Sequence, residues 1–120
     1  MKKEARILFV MECSPGYVLV VYRKNSIEEI FFLNSWDLRE GLKKLKTLDE
    51  IRYFFCLNCS SQELAILGSF GLKLLSRNNI NPLYLFKMSK FLELLCNLNN
   101  LLMLKTIPSN HVTYVHFHRS

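Results

Sequence analysis

Cys56 and Cys59 stand at Cys-x-x-Cys spacing, three histidines crowd the last ten residues, and Glu12 follows the first apolar stretch. These are the residues best equipped for chemistry, and each falls short of a site on its own. A structural zinc centre needs a second close pair of ligands, and Cys13 and Cys96 each stand alone in the sequence. A thioredoxin-type pair sits at a helix start with a low-pKa thiol, whereas Cys56 falls inside an apolar, strand-like run. The four cysteines therefore read as small buried side chains in a reducing compartment. His116 and His118 would share one face of a strand, but two ligands without a third read as surface histidines, as does His111. There is no GxxxxGK[ST] and no GxGxxG to cradle nucleotide phosphates. Glu12, Asp37, Glu63 and Glu93 fall on different elements without catalytic spacing, and no base lies near a nucleophile in the pattern. The expectation is no metal, no cofactor and no catalytic residue.

The elements that would position these groups are legible from periodicity. Residues 7–11 and 17–22 read as strands around the turn Ser14-Pro15-Gly16, and 27–33 as a third strand. Ser35 and Asp37 open an amphipathic helix with Leu38, Leu42 and Leu45 on one face. Residues 51–57 follow, apolar on both faces from Tyr53 on, as in a central covered strand. The polar turn 58–61 supplies an N-cap for a helix over 62–77. Its apolar arc includes Ile66 and Phe70 and leaves only a narrow polar side, Gln62 and Ser69 included. Residues 83–86 read as a short strand, a helix begins near Ser89 and is interrupted at Asn99-Asn100, and 111–118 looks extended. The order β-β-β-α-β-α-β-α with an extended tail implies an α/β fold containing parallel strands.

Length and composition agree with one domain over residues 1–120, with 50% hydrophobic residues and a net charge of +6. The basic residues of the second half are spread singly, without aromatic interleaving, so no nucleic-acid partner is expected. No run is long enough to insert into a membrane, and the apolar stretch after the first lysines is too short for a signal peptide, so a cytoplasmic protein is expected.

From about Tyr17 to Ser109 the layout resembles a STAS domain, the fold of bacterial anti-sigma factor antagonists. Residues 53–64, Tyr-Phe-Phe-Cys-Leu-Asn-Cys-Ser-Ser-Gln-Glu-Leu, are similar to that family's strand and signature turn. Residues 72–79 resemble the end of its long helix, 83–86 the next strand, and 94–104 the helix and closing step, with Asn100-Leu101 in place of Gly-Leu. The signature glycine is absent. The resemblance implies a mixed sheet with helices packed mainly on one face. It also implies a non-catalytic module that binds an anti-sigma factor or a kinase-like regulator, or serves as a subunit of a transport or signalling assembly. Ser61, and after it Ser60, would be the phosphorylated position; Asn58, Gln62, Glu63, Ile66, Ser69 and Phe70 would face the partner. A phosphate at a helix N-terminus meets backbone N–H groups and the favourable end of the dipole. The same serines and Glu63 also suit plain capping of the helix.

Two other readings stand beside this one. Three opening strands followed by alternating helix and strand also fit an RNase H-like or actin-like domain, a metal-dependent nuclease if carboxylates join Glu12. A consecutive antiparallel meander of the first three strands would favour it. The extended tail 111–118 could instead add to a sheet edge and build a homodimer.

Overall fold

The computed structural model describes residues 5–24, 26–105 and 112–116; for 103–105 and 112–116 it gives the backbone course. The opening residues Arg6–Cys13 (β1), Gly16–Arg23 (β2) and Ser26–Leu33 (β3) form an antiparallel meander. Leu38–Lys43 (α1) then carries the chain back over the sheet, so that Ile51–Leu57 (β4) lies parallel to β1. Ser61–Ser69 (α2) follows, then the two-residue strand Lys73–Leu74 (β5), parallel to β4. The helix Pro82–Lys105 (α3) and the strand Val112–His116 (β6) complete a six-stranded mixed sheet in the order β5-β4-β1-β2-β3-β6.

Helices cover both faces of this sheet, not mainly one. Leu8, Val10, Leu19, Phe31 and Phe54 face α1 and α2, packing on Leu38, Leu42 and Leu67. Phe9, Met11, Val18, Phe32 and Phe55 face the other way, onto Met88, Leu92 and Leu95 of α3. The cause lies in β1 and β2 themselves. Both are apolar without alternation, so both faces must leave water. At about 25 cal/mol per Å² of apolar area, leaving either face bare would cost far more than a domain's net stability.

The second half departs from the expected elements at two signals. α2 ends at Ser69, not 77, because Gly71 adopts φ +83, the left-handed turn residue that stops a helix. The chain then returns as β5, where Leu75 N–H donates to Phe54 O at 2.8 Å. Residues 83–86, expected as a strand, are the first turn of α3. Asn81 Oδ1 accepts from Leu83 N–H at 2.9 Å, and Pro82 occupies the first helical position, where its missing N–H costs nothing. Asn99 and Asn100 do not interrupt α3. Asn99 is buried, and its Nδ2 donates to Asn34 Oδ1 at 2.8 Å, tying the helix to the end of β3.

Two further links hold the elements. Cys13 and Cys96 form a disulfide with Cα atoms 5.7 Å apart, and Cys56 pairs with Cys59 across the turn after β4. The cysteines are therefore cross-links and not the free buried thiols expected for a reducing compartment. Gly16 passes so close to the end of β3 that a Cβ there would strike Leu33 O and the Ser35 backbone. That close approach fixes the carboxyl end of β3 against the start of β2.

Candidate functional site

The carboxyl ends of the parallel strands β1 and β4 meet the start of β2 and the chain leaving β3. In open α/β sheets this is the end at which ligands usually bind. Glu12 lies at the end of β1, exposed, directly opposite Tyr17 in the β1–β2 register. From β4 the chain turns at Asn58, whose φ of 61° reverses its direction, and enters α2.

Ser60 and Glu63 build the start of α2 reciprocally. Glu63 N–H donates to Ser60 Oγ at 3.2 Å, and Ser60 N–H donates to Glu63 Oε1 at 2.7 Å. This capping box satisfies two backbone donors that a helix start otherwise leaves without partners. The other carboxylate oxygen of Glu63 accepts from the Tyr17 hydroxyl. Both side chains are enclosed, with Glu63 only 8% exposed. Burial alone would raise the pKa of Glu63, but the hydrogen bonds from Tyr17 and Ser60 outweigh it and hold the carboxyl below its ordinary value. Tyr17 is pushed up, first by burial, then by its bond to Glu63 and the nearby charges of Glu63 and Glu12. Tyr17 thus remains a donor and Glu63 an acceptor at neutral pH.

Trp36 lies edge-on against Tyr17, ring centroids 5.7 Å apart at 85°, with 54% of its surface exposed. The next residue, Asp37, caps α1 by accepting from Glu40 N–H at 3.3 Å and is also exposed. An open aromatic ring is therefore seated on a fixed hydrogen-bonded frame, with the carboxylates of Glu12 and Asp37 on the same end of the sheet.

The residues named from the sequence divide between surface and interior. Asn58, Ser60, Ser61 and Gln62 are exposed around the α2 start, with the Ser60 hydroxyl engaged as the cap. Glu63 does not face outward; its carboxylate is turned into the Tyr17 frame. Ile66 and Phe70 are half-buried against the α1/α2 core, and Ser69 is exposed with its hydroxyl donating to Ile66 O at 2.6 Å. The apolar surplus lies on α3 instead, where Leu83, Phe86, Leu94 and Leu101 are exposed. Tyr17 and Trp36 were not singled out from the sequence; the one signal was that Trp36 is the chain's single tryptophan.

Among the described residues no three His, Cys, Asp or Glu side chains are grouped to hold a metal ion, so Glu12 has no converging carboxylates there. His111 and His118 lie outside the described residues, and of His116 only the backbone is described. The part of the tail that is described, β6, pairs with β3 of its own sheet. Among the described residues no helix is long and apolar enough to cross a membrane. No family model, curated protein or solved structure matches this chain.

Proposed function

We propose that this chain is a non-catalytic protein-binding module on an RNase H-like or actin-like sheet. It receives its partner at the carboxyl ends of β1 and β4. The observation that carries the reading is Trp36, an open aromatic ring held on the Tyr17–Glu63–Ser60 frame. Tryptophan is enriched among the anchor residues of protein interfaces, because it buries much area while losing few rotamers. Glu12 and Asp37, exposed at the same end of the sheet, favour a partner segment with basic side chains. Asn58, Ser61 and Gln62 supply the polar rim. The β1–β2–β3 meander supports the RNase H-like or actin-like arrangement over the STAS-like one. A STAS-type phosphoswitch at Ser61 or Ser60 has less support, because the negative charge of Glu63 is built permanently into the same helix turn.

Photo-crosslinkers placed at Trp36 and at Gln62 should capture the same protein from the native host, whereas one at Lys87 on α3 should not. Trp36→Ala should weaken that complex by about thirtyfold, the ~2 kcal/mol of an interface anchor. Equal capture from all three positions, or unchanged affinity in Trp36→Ala, would remove the reading.

The sheet order also favours a second reading, a metal-dependent nuclease using Glu12. Mg²⁺-dependent cleavage of RNA or DNA that is lost in Glu12→Gln would establish it over the binding module.

A further inference from the structure

A second concavity lies on the α3 face, at the end of the sheet away from Trp36. Ile7 and Phe9 of β1, Tyr22 of β2, Leu75, Asn79, Ile80 and Asn81 ahead of α3, and Tyr84 in its first turn line an open hollow of about 360 Å³. That volume falls in the range of roughly 300–1,000 Å³ typical of small-molecule sites. Three rings form its wall. Tyr22 and Tyr84 lie 5.0 Å apart between centroids, tilted by 50°, and Phe9 lies 6.3 and 6.1 Å from them. Such rings accept another flat ring by offset or edge contact.

The polar groups of the wall are few and uncharged. The Tyr84 hydroxyl is enclosed and meets hydrogen-bond geometry with no described group. Burial, and then the hydrogen-bonding influence of the Tyr22 hydroxyl beside it, push its pKa upward, so it stays protonated; the two hydroxyls are near each other but fall short of a full hydrogen bond. Asn81 uses its carbonyl oxygen to cap α3, which leaves its amide N–H groups as donors. An enclosed hydroxyl without a well-formed hydrogen bond carries a desolvation cost that a bound acceptor would relieve. A charged ligand would find no counter-ion among the lining residues.

We propose that this cavity binds a neutral, planar aromatic molecule of one or two rings bearing a hydrogen-bond acceptor that receives the Tyr84 O–H. The rings supply contact area, and the hydroxyl selects the acceptor. The site is separate from the Trp36 surface and does not depend on what docks there.

Quinoline and naphthalene have the same shape and differ by one ring nitrogen, an acceptor that is neutral at neutral pH. Titrated into the full chain and followed by amide chemical shifts, quinoline should bind about tenfold more tightly, the worth of one hydrogen bond to a buried group. The shifts should concentrate at residues 7, 22 and 80–84. Tyr84→Phe, which keeps the ring, should make the two affinities equal. Ile80→Trp, at a half-buried position on the rim, should abolish binding of both while the remaining spectrum stays folded. Scattered shifts, an unchanged preference in Tyr84→Phe, or unchanged binding in Ile80→Trp would each overturn the proposal.

Discussion

The two faces of the sheet are equally apolar but are closed by different means. The α1/α2 face is covered by helices of six and nine residues, and a local polar frame pins the second of them. The α3 face is covered by one helix of 24 residues, tied within one turn by Cys13–Cys96 and Asn34–Asn99. Short helices contribute little stability of their own, so each needs a good cap and a well-placed core residue. A long helix spans the sheet regardless, and its fit is left to a few cross-links. The first arrangement leaves a rigid, open edge at Trp36. The second leaves incomplete packing at one end, the aromatic cavity, and an outer row of leucines.

The sharpest way to break the contrast is to cut the α3 tie. The Cys13–Cys96 bond closes a loop of 83 residues in sequence separation. Cys96→Ala should cost up to about 4.5 kcal/mol by the chain-entropy relation, read from denaturant midpoints. Cys59→Ala, which opens only a short loop, should cost clearly less. Equal losses would mean that α3 is held by packing alone.

A smaller effect is expected from the frame on the other face. Glu63→Gln keeps the volume but turns one acceptor into a donor facing a donor, Tyr17 O–H or Ser60 N–H. The expected loss is about 1–3 kcal/mol, with amide exchange in residues 61–66 rising ahead of that in α3. Uniform exchange across both faces would show that the frame is not local.

The smallest effect is in the acid limb of stability. Glu63 has a folded pKa below its unfolded value of about 4.3, so its contribution is complete above that pH. It is lost as the pH falls through the folded value. The stability difference between the wild type and Glu63→Gln should therefore shrink below about pH 4. A constant difference across that range would place the loss in packing instead.

How much of this was legible depends on how far apart the decisive residues lie. β1 to β4 follow from short apolar runs bounded by turn residues, α1 follows from its periodicity, and Ser60-x-x-Glu63 is readable as a capping box from four residues. The end of α2 and the start of α3 turned on Gly71 and on Asn81-Pro82, residues that serve several roles in different contexts. Gly71 suits close packing in a helix as well as the turn that ends one. Asn81-Pro82 suits a helix stop as well as a helix start. Tyr17 is 46 positions from Glu63, and Cys13 is 83 from Cys96. Neither partner can be chosen until the sheet order is known. The covered second face was legible in the unbroken apolar runs of β1 and β2, which have no solvent side to offer.

The Cys13–Cys96 bond also determines how the chain responds to force. A pull on the two ends loads only the segments outside the bond. The 83-residue span between the cysteines, roughly 280 Å when drawn out, is shielded from the tension. In the oxidised protein β1, with Ile7 and Phe9 of the cavity wall, carries the load, while the span from β2 to β5, Trp36 included, is mechanically silent. Reduction alone brings it into the path of the load.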